Sequence, residues 1–145
     1  MPEPRDVGAA LLARDRASSS LGIEMVDAGP TQAVVRMTVR PDMVNGHDVC
    51  HGGLIFTLAD TALALACNGG NVNTLAAAAS IDFVRPALLG TTLVATATLI
   101  ERRGRTGHYD VVVRDGAAVI ALFRGRTREI GGAIIEDSPE GGVRS

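Results

Sequence analysis

The stretch that decides the fold is Gly53-Leu54-Ile55-Phe56-Thr57-Leu58-Ala59-Asp60-Thr61-Ala62-Leu63-Ala64-Leu65-Ala66-Cys67. Apolar residues fall on almost every side of it, and its length and Leu/Ala content predict a helix. Asn68-Gly69-Gly70 follows as a stop signal. A helix that is apolar nearly all round must be covered nearly all round. The rest of the chain is therefore expected to wrap it.

Working outward, Ala33, Val35, Met37 and Val39 alternate with Gln32, Arg36, Thr38 and Arg40, the period of a strand buried on one face. A shorter strand, 22–28, precedes it and runs to the Gly29-Pro30 turn. Residues 7–17 show weak helical spacing, which Ser18-Ser19-Ser20 is expected to end. Downstream, 80–85 reads as a strand stopped by Pro86. Leu93, Ala95, Ala97 and Leu99 alternate with threonines, and Tyr109, Val111 and Val113 alternate with His108, Asp110 and Arg114. Asp115-Gly116 is a hairpin turn because both central positions accept positive φ, and 119–127 is the returning strand. Four successive strands joined by tight turns argue an antiparallel sheet curled around the helix, an α+β fold. The expected organisation is a helical segment at 1–20, one domain at 21–135, and a flexible tail at 136–145 rich in Gly, Pro, Ser and acid.

Composition narrows the function. The 145 residues are 46% hydrophobic and 21% charged, as in one globular domain. No apolar run approaches the ~18 residues of a membrane span, and the first residues lack a basic-then-apolar leader. A net charge of −2 argues against a broad nucleic-acid-binding face. Two cysteines, Cys50 and Cys67, make no secreted disulfide framework, so a cytoplasmic setting with free thiols is expected. All 14 basic residues are Arg. Coding bias accounts for that, and planar guanidinium forks also suit phosphate.

The chemistry concentrates in Asn45-Gly46-His47-Asp48-Val49-Cys50-His51-Gly52-Gly53 and in Asp60-Thr61. Two glycines opening an otherwise strong helix call for a reason. One is close approach of a ligand to free N–H groups at the positive end of the helix, a place for a developing negative oxygen. The other is a plain loop-to-helix turn. Asp60 sits in the most apolar part of the chain, sharing a face with Thr57, Thr61 and Ala64. Buried carboxylates are costly, so this one is either a functional group or a structural one satisfied by backbone or Arg. Gly52 and Asp60 lie about 12 Å apart along one helix, too far to act on one carbonyl. If both act, the carboxylate comes from a second copy of the helix, which predicts an isologous dimer with two composite sites. His47, Cys50 and His51 share one loop without a fourth ligand or an orienting third group. They are not expected to hold a metal or to form a thiol nucleophile. His51 is expected to fix the turn before Gly52.

Taken together, Asn45 to Asp48, His51-Gly52-Gly53, Asp60-Thr61, Ile81-Asp82-Phe83 with Arg85-Pro86, Ala121 to Gly125 and Ile130-Gly131-Gly132 resemble the motifs of hotdog-fold acyl-CoA thioesterases. The resemblance is to the phenylacetate-pathway (PaaI) type and spans about Ser20 to Ala133. It implies a hotdog fold: a long central helix wrapped by a curved antiparallel sheet of five to six strands. It implies a homodimer as the minimal active unit, and a homotetramer. The implied reaction is hydrolysis of aryl- or arylacetyl-CoA without a cofactor. Carried over, the Gly52 amide polarises the thioester carbonyl, and the partner's Asp60 attacks it or activates water. Asn45 orients the acyl group, water or carboxylate. His51, Gly53, Thr61, Phe83, Arg85, Arg103 and Arg105 are the expected substrate-binding residues, with the Arg102–Arg105 turn the best local cluster for CoA phosphates. Related groups carry Glu at the Asp60 position and Thr where this chain has Ala64, so hydroxyl assistance falls to Thr61 or elsewhere. An acyl-CoA-binding module without catalysis and a hotdog hydratase or dehydratase are the alternative readings.

Overall fold

The computed structural model describes residues 2–136, so the expected tail lies almost entirely outside the described residues. The chain opens with α1 (Pro4–Arg14) and α2 (Arg16–Ser20), followed by β1 (Glu24–Ala28) and β2 (Gln32–Thr38). A single 3-10 turn at Pro41–Met43 and a loop lead into α3 (Gly52–Cys67). Then come β3 (Thr74–Phe83), β4 (Thr92–Arg103), β5 (Thr106–Asp115) and β6 (Ala118–Glu129).

The six strands form one antiparallel sheet in the order β1-β2-β4-β5-β6-β3, curled about α3 as the hotdog resemblance implied. Alternation sets which side chains face the helix. Val35 and Met37 of β2, Leu93 and Ala95 of β4, and Tyr109, Val111 and Val113 of β5 are all buried against Leu58, Ala59, Ala62 and Leu63 of α3. Gly125 of β6 lets the helix lie close. A Cβ there would come within 2.6 Å of Leu63 Cδ2.

Three expectations change. The serines do not end the first helix. It breaks at Asp15 (φ −90°, ψ 94°), whose side chain caps α2, and Ser18 to Ser20 are helical. Strand β3 begins at Thr74, six residues before the expected start, and pairs with β6. The central helix is also not covered on every side. Gly53 and Ala64 are exposed, and Thr57 and Asp60 between them are half-buried, so one stripe of α3 stays open.

Candidate active site

The loop before α3 is shaped by its own polar groups. Asn45 Oδ1 accepts from His47 N (2.8 Å) and Val49 N (3.4 Å), and Asp48 takes positive φ at the tip. His51 N donates to Met43 O, and the His51 ring caps the helix, its Nδ1 accepting from Gly53 N at 3.4 Å. Leu54 N donates back to His51 O. Of the first-turn amides, this leaves Gly52 N–H without an acceptor among the described residues. Such a group is where a helix binds an anionic oxygen. Gly52 is glycine for a steric reason: a Cβ would stand 2.9 Å from Phe83 Cζ. Gly53 meets no such neighbour.

Gly52 and Asn45 open into a cavity of about 320 Å³ lined also by Ile55, Phe83, Arg85 and Pro86. Arg85 holds its place by donating to Val119 O at 2.8 Å. With Asn45 Oδ1 occupied by backbone amides, its Nδ2 is left to donate.

Asp60 stands elsewhere. It lies two turns along α3, beside Leu63, Ala64 and Cys67 and facing Thr74, Leu75 and Ala76 of β3, around a cavity of about 170 Å³. Burial raises its carboxyl above the usual carboxylate range, and the negative charge of Asp15 raises it further. Burial likewise pushes the Cys67 thiol up to about 12, so that sulfur is protonated at neutral pH. Thr61 is only 6% exposed. Its hydroxyl lies 2.8 Å from Thr57 O and 2.9 Å from Ser18 Oγ.

The expected site residues thus fall into two groups within one chain. Asn45, His51, Gly52, Gly53, Phe83 and Arg85 gather at the start of α3. Asp60 and Thr61 lie further along it, at the end where β3 begins. Arg103 and Arg105 are exposed in the β4–β5 turn, around Gly104 at φ +61°. That turn lies at the same end of the sheet as Thr74, because Thr106 pairs with Arg128 and Thr74 with Glu129. Sequence reasoning missed Asp15 and Ser18. The Asp-x-x-Ser spacing of a helix cap was the available signal.

Comparison with known proteins places this geometry. The thioesterase superfamily pattern matches residues 47–121. The chain is 44% identical over 126 residues to the acyl-coenzyme A thioesterase PaaI of Escherichia coli K12, covering 86% of this chain and 90% of that one. The solved structure of E. coli PaaI, from the phenylacetic acid degradation operon, superposes with a TM-score of 0.87 at 41% identity, over 90% of this chain and 95% of that one. A mutant of the phenylacetic acid degradation protein PaaI from Thermus thermophilus gives 0.77 at 33% identity, over 80% and 100%. The chain belongs to the thioesterase superfamily, as a PaaI-like acyl-CoA thioesterase. Its chemistry is therefore that of a thioester hydrolase.

Proposed function

We propose that the chain hydrolyses aryl- or arylacetyl-CoA thioesters, of the phenylacetyl and hydroxyphenylacetyl class, in a site shared by two copies. The Gly52 amide is the oxyanion donor, and Asp60 of the partner subunit is the nucleophile or general base. The observation that carries this is a pair of incomplete halves. An unpaired Gly52 N–H stands at one end of α3, and a carboxylate stands in the open stripe about 12 Å further along.

Strand β3 supplies a way to unite them. Its outer edge has no partner among the described residues, Ala76 to Ser80 are all exposed, and Asp82 is its only charged residue. A long edge so lightly guarded is a template for another strand. A twofold axis through its middle pairs β3 antiparallel with its own copy and sets one Thr74 near the other copy's Phe83. Asp60 lies against Leu75 and Ala76, and Gly52 lies against Phe83. The same rotation therefore carries each Asp60 toward the Gly52 of the partner subunit.

In such a site the thioester oxygen accepts from Gly52 N–H, a donor worth ~3–4 kcal/mol in the transition state. Asp60 has two balanced routes. As nucleophile, its oxygen bonds to the acyl carbon, CoA leaves as thiolate, and water then cleaves the anhydride and regenerates the carboxylate. As base, it takes a proton from water while the water oxygen attacks; the intermediate then expels the thiolate, which takes that proton from Asp60 and so regenerates the carboxylate. A carboxyl raised by burial is the stronger base once ionised. Asn45 Nδ2 donates to the acyl group or to the water. His51 fixes the turn, Gly53 leaves room above it, Thr61 buttresses the Asp60 turn, and Phe83 closes over Gly52. Arg85 at the cavity mouth, with Arg103 and Arg105 brought from the partner subunit's turn, binds CoA phosphates.

The aryl class is supported by the cavity beside Asp60. Its walls are mostly apolar, and its 170 Å³ is close to the ~150 Å³ apolar cavity that accepts a benzene ring. Two dimers meeting through the outer sheet face, where Leu122 is exposed, complete the proposed tetramer. The cytoplasm is the proposed compartment, since both cysteines are free.

A thiol-release assay over aromatic and aliphatic CoA esters tests the substrate class. Arylacetyl esters should be turned over fastest, and a preference for aliphatic esters would contradict the reading. For the shared site, Ala79→Lys puts a charge on the open edge. The variant should sediment as a monomer and lose turnover, whereas an active monomer would overturn the shared site.

A further inference from the structure

The junction of α1 and α2 carries a polar chain that reaches α3 beside Asp60. Asp15 Oδ1 accepts from Ser18 N at 2.9 Å, and Asp15 Oδ2 accepts from Ser18 Oγ at 2.6 Å. Ser18 is 1% exposed, and its Oγ lies 2.9 Å from Thr61 Oγ1. An ionised carboxylate only accepts, so the Ser18 hydroxyl donates to Asp15. The single Thr61 hydroxyl proton lies between two acceptors, Thr57 O at 2.8 Å and Ser18 Oγ at 2.9 Å. The chain runs Thr61 to Ser18 to Asp15, links positions 43 residues apart, and ends in a fixed negative charge.

That charge faces Asp60's surroundings. Asp15, Thr61, Ala64 and Leu75 line a cavity of about 310 Å³. Ala64 and Leu75 also line the cavity of Asp60. The other groups near Asp60 can be named by element. On α3 there is the Cys67 thiol, and the facing part of β3 is uncharged (Thr74, Leu75, Ala76). Arg102 of β4 acts on Cys67 and Tyr109 and pairs with Glu129. Arg14, beside Asp15, is directed to Ile134 O at 3.0 Å. No cation pairs with Asp60 among the described residues.

We infer that Asp15 is a positioning residue for Asp60: a negative charge, anchored through Ser18 and Thr61, that fixes the Asp60 turn of α3 and sets the charge around its carboxylate. This rests on the catalytic role of Asp60 proposed above. It makes the α1–α2 junction, which lies outside the residues matched by the superfamily, part of the active site. Repulsion between the two charges also agrees with the upward displacement of the Asp60 carboxyl.

The test is the pH profile of kcat/KM for phenylacetyl-CoA in three full-length variants. Asp15→Asn keeps an oxygen to accept from Ser18 but removes the charge. Its acid limb should move to lower pH, with plateau kcat reduced several-fold and KM little changed. Ser18→Ala keeps the charge and cuts the anchor. It should lower kcat while leaving the limb near its original pH. A carbon-13 carboxyl titration of Asp60 should show the same downward move in Asp15→Asn, independently of turnover. The inference is overturned if the Asp15→Asn profile and titration superpose on the unmodified protein's while Asp60→Asn is inactive. It is equally overturned if Asp15→Asn and Ser18→Ala lose activity alike without any move of the limb, since Asp15 then acts only through folding. If Asp60→Asn retains full turnover, the catalytic reading of Asp60 falls, and this inference with it.

Discussion

The two faces of α3 have opposite fates. One carries Ile55, Leu58, Ala59, Ala62 and Leu63, packed against the curled sheet and closed to solvent. The other, through Gly53, Thr57, Asp60 and Ala64, is left open beside an unpaired strand edge. Thr57 and Asp60 make the open face the less apolar one, but polarity alone does not leave a face open. Strand cover decides it. The buried face is a stability device, and the open face, with the unpaired amide at its start, is the proposed chemical one. Substitutions on the two faces should therefore separate activity from stability.

The largest separation is expected at Asp60. Asp60→Asn should lower turnover of phenylacetyl-CoA by about 10²–10⁴-fold, yet raise the melting temperature at neutral pH. The sign follows from the raised carboxyl. The folded chain releases this proton at a higher pH than the unfolded chain, so ionised Asp60 costs stability above that range. The gain in the Asn variant should disappear as pH falls below the unfolded value, which melting curves across pH would follow. At the other end of the helix, Gly52→Pro deletes the N–H donor. Proline suits the first helical position, and His51 at φ −60°, ψ 132° already has the conformation a following proline requires. With Phe83→Leu to clear the ring from the new Cβ, turnover should drop about 10²–10³-fold relative to Phe83→Leu alone, with unchanged circular dichroism.

On the buried face the expectation reverses. Leu58→Ala should cost about 2–5 kcal/mol in denaturant unfolding, while Ala64→Ser, on the open stripe, should stay within about 0.5 kcal/mol. The smallest effect concerns the thiols. Cys50 and Cys67 are buried, and the Cys67 thiol is pushed up to about 12. Neither should react with a thiol reagent until the protein unfolds.

The sequence made the central helix, β2 and the β5–β6 hairpin readable, because each carries its period or turn residues locally. It hid the start of β3. Leu75-Ala76-Ala77-Ala78-Ala79 has no alternation and favours helix in isolation. It is a strand because β6 pairs with it from more than forty residues away. The open stripe on α3 was hidden for the same reason, since cover is decided by distant strands. Within the candidate site, the glycine-opened helix and the isolated carboxylate stood out as local departures from an apolar pattern. Asp15 and Ser18 did not. A cap and a serine run look like a helix ending, and only the contact with Thr61 shows that Ser18 is interior.

The central claim is that each reactive centre draws its amide and its acid from different subunits. Mixing two inactive variants, Asp60→Asn and Gly52→Pro/Phe83→Leu, under conditions that exchange subunits tests it most directly. A mixed dimer then contains one site with both defects and one with neither Asp60 nor Gly52 altered. Random exchange should restore about a quarter of the activity of the unmodified protein, because the intact site takes Gly52 and its Phe83 from the Asp60→Asn chain. If mixed dimers form and turnover stays at the level of the separate variants, amide and acid belong to the same chain, and the account is wrong.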